Sequence, residues 1–261
     1  MTENVLKFVN RDISVYDADG RELRLFSLDG KLVPSFRENR IQTAREVTLR
    51  DDDVILIGYP KTGCHWVWEI LSMMVKKCAV PSKLGKGTAF LEASPMNLLE
   101  NTPSPRVLNS HLWWDYLPRQ LSEKKTKLVL TYRNPKDTAV SYYHHHLSLP
   151  QLYHYDGRFQ SWFPLYIDGQ VDYGSYFDYY LYWDHVIKSS RDHPILVVSY
   201  EDMKENLPAV MKRILEFLDL DLDDQLLSEI AEAAGFDAMK ATYNQSQSLS
   251  KVLMRKGQGH L

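Results

Sequence analysis

The chain has 261 residues, enough for one large domain whose core needs no disulfide or metal to hold it together. Its 31 Lys and Arg nearly balance 34 Asp and Glu, and the net charge of -3 excludes a general nucleic-acid binder and gives no electrostatic reason to bind an anionic membrane. A composition of 44% hydrophobic and 25% charged residues also excludes a disordered chain, a collagen and a coiled coil.

Targeting signals and interdomain linkers are not expected in this sequence. The first residues, MTENVLKFVNRD, lack the apolar stretch of a signal peptide, and the longest apolar run is far too short to span a membrane. Cys64 and Cys78 lie in one predicted helix, too far apart for a disulfide. Because there is also no repeat and no Gly/Ser linker, we expect a single cytoplasmic domain over residues 1–261.

Short apolar runs alternate with helical patterns along the chain. The runs predicted to be strands are Val54–Ile57, Arg106–Leu108, Lys127–Thr131 and Ile195–Val198. The patterns predicted to be helices are Gly63–Lys77, Lys136–Leu147, Gly174–Ser189, Leu207–Leu218 and Asp223–Ala234. Apolar strands between helices are typical of a parallel sheet covered on both faces. The predicted fold class is therefore α/β, a three-layer sandwich with a central, mainly parallel sheet that binds ligands at the carboxyl ends of its strands.

Two stretches between the predicted elements have the composition of long connections. Thr88–Pro105 is rich in Pro, Asn and Ser, and Leu149–Gly174 carries three Gly, two Pro and several aromatic residues. Loops of this length in a compact domain are usually functional or mobile. We therefore expect both stretches to form walls of a substrate pocket, with plain surface loops as the alternative.

The first predicted strand runs into a turn and then directly into a helix, which is the outline of a phosphate cradle. The spacing Gly58-x4-Gly63 matches the first half of the nucleotide triphosphate loop, but Cys64 and His65 stand where that loop has its Lys and its Mg²⁺-binding Ser or Thr. Lys61 lies inside the turn instead. We expect a P-loop-like strand-loop-helix that binds a phosphate-bearing donor without Mg²⁺, with a plain tight turn as the alternative.

The sequence of this turn resembles the signature Y-P-K-[ST]-G-T-x-W of the cytosolic sulfotransferase family, and it stands here as Tyr59-Pro60-Lys61-Thr62-Gly63-Cys64-His65-Trp66. The resemblance continues in order through the segments Asn109–Leu112, Tyr132–Asp137, Ser141–Tyr143, Ser199–Asp202 and Arg255–Gly257. The resemblance implies an enzyme that transfers a sulfuryl group from 3′-phosphoadenosine 5′-phosphosulfate (PAPS) to a hydroxyl or amine of a small acceptor, with no metal.

By this resemblance, the residues nearest the chemistry have defined roles. Lys61 supplies the main positive charge at the leaving phosphate. The backbone N–H groups around the 5′-phosphate come from Thr62, Gly63, Cys64 and His65. His111, at the end of the second predicted strand, matches the family's catalytic base, which removes a proton from the acceptor.

The same resemblance implies how the rest of the nucleotide is held. The residues of the 3′-phosphate pocket are Arg133, Ser141, Arg255, Lys256 and Gly257. Trp66 and Phe236 match the residues that stack on the adenine, and Tyr200 matches the residue that hydrogen-bonds its edge.

The sequence departs from the family pattern near the chemistry. Asn109 stands where many relatives carry a Lys, two positions before the catalytic His, so we expect one cation fewer at the transfer site and slower turnover or a different acceptor. Cys64 and Ala234 each replace a Thr. These departures leave a non-catalytic nucleotide-binding relative open as an alternative. The chain also ends soon after Gly257, before the segment through which relatives dimerise, so we expect a monomer.

The sequence lacks residues that three other chemistries would need. A nucleotide kinase would share the sheet and the anion loop but needs the missing Lys-Ser/Thr ending. Cys64 as the thiolate of a phosphatase would need an Arg six residues later, where Ile70 stands. The run His144–His146 is not expected to bind a metal, because consecutive helical residues point about 100° apart.

The acceptor is suggested only by aromatic content. Ten of the sixteen tyrosines lie between Tyr142 and Tyr182, which suits a flat, hydrophobic acceptor such as a phenol, a sterol or an aryl amine. The alternative is that these rings form an ordinary helix core.

Overall fold

The computed structural model of the protein describes residues 10–34, 40–82, 85–235 and 238–239. The strands in these ranges are β1 (Asn10–Tyr16), β2 (Glu22–Leu28), β3 (Lys31–Val33), β4 (Val54–Gly58), β5 (Val107–Ser110), β6 (Lys127–Tyr132) and β7 (Ile195–Ser199).

The helices of the same ranges cover both faces of the main sheet and connect its strands. They are α1 (Ile41–Ala44), α2 (Cys64–Val75), α3 (Met96–Asn101), α4 (Leu121–Lys124), α5 (Pro135–Ser148), α6 (Pro150–Tyr153), α7 (Phe159–Ile167), α8 (Tyr176–Ser189), α9 (Tyr200–Glu205), α10 (Leu207–Leu218) and α11 (Asp224–Ala233). Two 3₁₀ turns lie at Lys86–Ala89 and Trp114–Tyr116. None of the described helices is long and apolar enough to cross a membrane.

Strands β4 to β7 form one parallel sheet in the order β5-β4-β6-β7. Val54 of β4 is in register with Val107 of β5 and with Lys127 of β6, and β6 continues the pairing to β7. The four predicted strands and the α/β fold class are therefore confirmed. The five predicted helices are also present, with ends shifted by at most two residues.

The sheet divides the core into two layers because side chains alternate across a strand. Ile55 and Ile57 pack into a core with β2, α5, α7 and α8, whereas Val54 and Leu56 pack into a second core with α2, α10 and α11. All of β4 is buried, which explains its continuous apolar sequence. The three layers place the carboxyl ends of the strands at one edge of the molecule.

An antiparallel sheet of β1, β2 and β3 precedes the main sheet and was not predicted. Its β2–β3 turn contains Asp29 and Gly30, with φ of 49° and 81°. Positive φ at both positions is typical of a tight two-residue hairpin, for which Asp-Gly is a strong sequence signal. Leu23 and Leu25 of β2 are fully buried against the main core, so this sheet is part of one covering layer.

The expectation that Leu149–Gly174 is irregular was wrong, because this stretch contains α6 and α7. Pro164 lies inside α7 and hides its pattern, although Trp162 of the same helix is fully buried. The predicted helix around the two cysteines ends at Val75, before Cys78. Cys64 is buried, Cys78 is exposed, and both are free thiols.

A buried ion pair ties β5 to the loop before β4. The Nε and Nη2 atoms of Arg106 donate to the two carboxylate oxygens of Asp53 at 2.7 and 2.8 Å, and both side chains are almost fully buried. Arg106 also donates to the carbonyl oxygens of Leu99 and Thr48 at 2.6 and 2.5 Å. All three nitrogens of this guanidinium therefore donate to an acceptor, which is the condition under which a buried charge is tolerated.

We expect Asp53→Asn to lower the free energy of unfolding by about 3–5 kcal/mol, because it leaves the Arg106 guanidinium buried without its counter-charge. The matched control is Asp184→Asn, which breaks the exposed Asp184–Lys188 pair of α8 and should cost less than about 1 kcal/mol. Urea unfolding of the two variants measures both values. Equal losses would show that the buried pair does not hold β5 in place.

Candidate active site

Three strand ends converge on Gly58, the last residue of β4. A Cβ at this position would lie 2.1 Å from the Thr131 hydroxyl oxygen of β6 and 3.0 Å from that of Thr62. No real Cβ approaches a neighbour that closely, so only glycine lets β6 reach this position. The Thr62 and Thr131 hydroxyls are themselves 3.0 Å apart, and both lie in the buried interior.

The turn after Gly58 is held by its own backbone and by one hydroxyl. Thr62 donates its hydroxyl to the Tyr59 carbonyl at 2.6 Å. Lys61 has φ 71° and Gly63 has φ 96°, both in the left-handed region. A Cβ on Gly63 would lie 2.7 Å from a ring carbon of Tyr200. The predicted strand-loop-helix is therefore present, and the turn opens directly into the twelve-residue α2, whose first N–H groups can bind an anion.

Positive charge is concentrated at this turn. Lys61 is half-buried, and its burial, with the ammonium of Lys86 as a second cause, lowers its pKa to about 8. His65, the second residue of α2, has its pKa held well below the ordinary imidazole value by burial and then by the same two lysines. The site is therefore cationic through its lysines and not through its histidines.

Tyrosine hydroxyls fix the backbone around the turn. Tyr59 donates its hydroxyl to the Gly174 carbonyl at 2.7 Å, and Tyr180 of α8 donates to the Thr131 carbonyl at 2.7 Å. Tyr176 donates to the carbonyl of Arg133. The buried Tyr59 ring meets four others edge-on, those of Tyr142, Tyr166, Tyr176 and Tyr179. These tyrosines pack as an ordinary core, which was the alternative to an aromatic acceptor pocket.

His111 follows β5 directly and is nearly buried, with 9% of its surface exposed. Its Nδ1 is 2.5 Å from the Gly58 carbonyl oxygen, so Nδ1 carries the proton and Nε2 is left as a proton acceptor. Burial, and then the Lys86 ammonium, lower the pKa of His111 well below its usual value. The imidazole is therefore neutral at pH 7, as a general base must be.

Lys86, from the first 3₁₀ turn, reaches the same imidazole. Its Nζ lies 3.4 Å from Nε2 of His111 and 3.1 Å from Oδ1 of Asn109. The sequence predicted that Asn109 would leave the transfer site one cation short. The structure shows instead that another element brings a cation to the side chain of Asn109.

A buried carboxyl group and two rings complete the surroundings of His111. The backbone N–H of His111 donates to Oε1 of Glu92 at 2.7 Å. Burial raises the pKa of Glu92 to about 7, against the opposite effect of that hydrogen bond. The rings of Phe90 and Tyr173 meet the imidazole edge-on, each at 5.3 Å between centroids. Residues of both predicted pocket walls therefore lie beside His111.

Arg133 follows β6 and lies beside the turn. Its guanidinium is 4.2 Å from the ring centroid of Tyr200, and its Nη1 is 3.4 Å from the Lys61 carbonyl. Its Nε is buried and has no hydrogen-bond partner among the described residues. A buried guanidinium N–H without an acceptor is costly, which makes this side chain suited to an anion. Ser141 is half-buried in the second turn of the helix that follows, α5.

Trp66 and Tyr200 form the other side of this region. Their rings meet edge-on at 5.7 Å, and the buried indole Nε1 of Trp66 also has no partner in the described part of the chain. Ala234 is fully buried at the end of α11. Four further predicted site residues lie outside the described residues, namely Phe236, Arg255, Lys256 and Gly257.

The run of three histidines takes part in packing and hydrogen bonds. His146 is buried, with Nε2 2.7 Å from Oδ1 of Asp172 and Nδ1 accepting the indole N–H of Trp162 at 2.8 Å. His145 lies 3.2 Å from the Tyr153 hydroxyl. The described ranges contain no group of three or more His, Cys, Asp or Glu that could hold a metal ion.

Sequence reasoning missed Lys86 and Glu92. Both lie outside the motifs, in or beside a stretch that the sequence marked only as a long connection, and no local pattern gives their distance from His111. Glu92 follows the apolar pair Phe90 and Leu91, but the exposed Glu100 follows Leu98 and Leu99 in the same way, so this local pattern could not have marked Glu92 as buried.

A family model described as "Sulfotransferase domain" matches residues 51–260. This chain belongs to the sulfotransferase family. Sulfotransferase 6B1 of Mus musculus is 37% identical over 217 residues, covering 80% of this chain and 69% of that protein. Sulfotransferase 6B1 of Danio rerio is 34% identical over 247 residues, covering 91% and 81%. The family membership that the motifs predicted is confirmed, and with it the assignment of the chain as a sulfotransferase enzyme.

Solved structures agree with this assignment. The crystal structure of mouse sulfotransferase SULT7A1 complexed with PAP superimposes with a TM-score of 0.75 at 28% identity, covering 89% of this chain and 86% of that one. Retinol dehydratase in complex with androsterone and inactive cofactor PAP superimposes with a TM-score of 0.73 at 16% identity, covering 97% and 90%, a likeness of fold.

We expect Gly63→Ala to destabilise the protein by about 1–3 kcal/mol, because the new Cβ would be forced into the left-handed region and against the Tyr200 ring. Gly87→Ala is the matched control. Its Cβ would meet no atom within 4 Å, so the change should be neutral or stabilising by about 0.4–1 kcal/mol. Thermal unfolding compares the two variants, and a Gly63→Ala protein as stable as the control would contradict the strained turn.

Proposed function

We propose that this protein transfers the sulfuryl group of PAPS to a hydroxyl or amine of a small hydrophobic acceptor, with His111 as the general base. The observation that carries the proposal is the hydrogen bond between His111 Nδ1 and the Gly58 carbonyl. It directs Nε2 as a proton acceptor beside the anion loop that starts at Gly58. A base and an anion site that share one backbone residue are suited to group transfer from a phosphate-linked donor.

The roles of the binding residues follow from their positions. Lys61 and the N–H groups of Thr62, Gly63, Cys64 and His65 would hold the 5′-phosphate at the start of α2. Arg133 and Ser141 would hold the 3′-phosphate as a charged fork beside a hydroxyl, and the buried Nε of Arg133 has no hydrogen-bond partner within the described ranges. Trp66 and Tyr200 would contact the adenine. Phe236 and the segment Arg255–Gly257 keep the roles that the family resemblance implies.

The chain's own groups supply both halves of the transfer. The acceptor oxygen forms a bond to sulfur while its proton passes to Nε2 of His111. The bond between sulfur and the bridging oxygen of the 5′-phosphate breaks, and the electron pair stays on that oxygen. The Lys61 ammonium stabilises the charge that develops there, because it lies in the turn that would hold the 5′-phosphate. The proposed products are 3′-phosphoadenosine 5′-phosphate (PAP) and a sulfated acceptor.

Two related structures support the donor. PAP is bound in the structures of SULT7A1 and of retinol dehydratase. We propose the same nucleotide for this chain, a small-molecule acceptor as its partner, and the cytoplasm as its location. The turn lacks the Ser or Thr that binds Mg²⁺ in nucleotide triphosphate loops, so no divalent cation is needed to bind the donor.

We expect PAP to raise the melting temperature of the protein in the presence of EDTA, because a ligand that binds only the folded state stabilises it by about 2.7 kcal/mol at 100 times its Kd.

The pKa of Lys61 is about 8, so its charge is lost as the pH rises through 8. The affinity for PAP, measured by titration calorimetry, should therefore fall between pH 7 and pH 9. A shift that requires Mg²⁺, or no shift at saturation, would contradict the donor assignment.

We expect His111→Asn to slow sulfuryl transfer from PAPS to a phenol by about 10²–10⁴-fold, the usual contribution of a general base. Its affinity for PAP should stay near that of the wild type, because the base contacts the acceptor. The exposed His185 of α8 provides the control variant His185→Asn, which should keep full activity. If His111→Asn turns over the phenol as fast as the control does, His111 is not the base.

A further inference from the structure

We propose that Lys86 is a catalytic cation on the acceptor side of the site, where its ammonium stabilises the negative charge that develops on the oxygen of a phenolic acceptor. This inference rests on the proposed function, sulfuryl transfer with His111 as base, and adds the acceptor class. Lys86 belongs to none of the motifs that carry the family resemblance, and its assignment comes from its position in the structure.

The distances let one acceptor oxygen reach both groups. The Nζ of Lys86 is 3.4 Å from Nε2 of His111, the atom that would take the acceptor's proton. An oxygen at an ordinary hydrogen-bond distance of about 2.8 Å from Nε2 can lie equally close to Nζ, because three atoms at these separations form a nearly equilateral triangle. Base and cation therefore converge on one oxygen.

Asn109 holds the ammonium in this position. Its Nδ2 donates to the carbonyl oxygens of Lys86 and Ala89 at 2.9 and 2.8 Å, which requires Oδ1 to point the other way. That oxygen accepts from the Nζ of Lys86 at 3.1 Å. The Phe90 ring lies 4.7 Å from the same Nζ. A lysine that is fixed at its backbone and at its head is preorganised, and preorganised charge is the kind that lowers a barrier.

The buried ammonium of Lys86 is suited to bind an anion. The side chain is buried, with 7% of the residue exposed, and none of the ion pairs found among the described residues includes it. Burial lowers the pKa of Lys86, and the nearby Cys64 and Glu92 oppose that effect. A buried ammonium without a carboxylate in ion-pair contact is costly, and an anionic oxygen at the site would offset that cost.

The same arrangement selects the class of acceptor. His111 is neutral and a weak base, since burial and Lys86 keep its pKa low, so it removes a proton more readily from an acidic hydroxyl than from an aliphatic alcohol. A phenol loses its proton near pH 10, as tyrosine does. The rings of Phe90 and Tyr173 flank the imidazole and offer flat apolar contacts to an aromatic acceptor.

The test is Lys86→Met, which keeps the length of the side chain and removes its charge, assayed with PAPS and two acceptors. With phenol itself we expect kcat to fall by about 10²-fold, the usual cost of one donor at a developing oxyanion. With 4-nitrophenol the fall should be much smaller, because the nitro group already stabilises the oxyanion. The affinity for PAP should not change. Lys204→Met, at an exposed lysine of α9, is the control and should match the wild type with both acceptors.

The outcomes separate this inference from the proposed function. A wild type that sulfates neither acceptor but sulfates aliphatic alcohols, or a Lys86→Met protein with equal losses for both phenols, would overturn the role of Lys86 while leaving sulfuryl transfer intact. A wild type that transfers no sulfuryl group to any acceptor would overturn the proposed function. If Lys86→Met does not fold, Lys86→Gln keeps a donor for Asn109 without the charge, and the same comparison of the two phenols decides.

Discussion

The absence of a side chain at Gly58 is the constraint on which the site depends. It lets Thr131 of β6 approach β4 to a distance that any Cβ would block, and the carbonyl of the same residue holds His111 after β5. The chain then turns into the loop that carries Lys61. Parallel pairing of β4 with both neighbours thus fixes His111, the loop that carries Lys61, and Arg133 relative to one another. A larger residue at position 58 would separate β4 from β6 and would displace His111, the Lys61 loop and Arg133.

Tyrosine hydroxyls hydrogen-bond to backbone carbonyls around these strand ends. Buried backbone carbonyls must be hydrogen-bonded or hydrated. Here the phenols of Tyr180, Tyr176 and Tyr59 donate to the carbonyls of Thr131 in β6, Arg133 after β6 and Gly174 before α8. Each phenol brings a large apolar ring with it, so the carbonyls are satisfied without admitting water. Burial raises the pKa of Tyr59 and Tyr180 well above the usual value, which keeps them as neutral donors. Lys86, which is buried as well, therefore lies in surroundings of low dielectric constant, where a charge interacts more strongly.

The sequence was informative where chemistry is local and silent where it depends on long-range contact. The strand-loop-helix around Lys61 and the position of His111 at a strand end could be predicted, because continuous apolar runs mark buried parallel strands. The N-terminal hairpin has a local sequence signal in Asp29-Gly30, the dipeptide typical of a two-residue turn. Pro164 concealed α7, since propensity weighs against a proline that tertiary packing accommodates. The pairing of Lys86 with Asn109 joins residues 23 positions apart in sequence, and no spacing rule predicts it.

The link between Lys86 and Asn109 has a consequence for how such a site changes over generations. A lysine at position 109 in place of the amide would bring a second ammonium against the first and would remove the carbonyl oxygen that accepts from it. Two buried like charges at that range repel strongly, so the two ways of supplying the cation exclude each other. A change from a lysine at position 109 to a lysine at position 86 must pass through an intermediate sequence that has both lysines or neither of them. The positive charge could therefore be supplied from position 86 or from position 109 and still lie at the same point of the site. A comparison of the motif residues alone would count the change from Lys to Asn at position 109 as a lost charge.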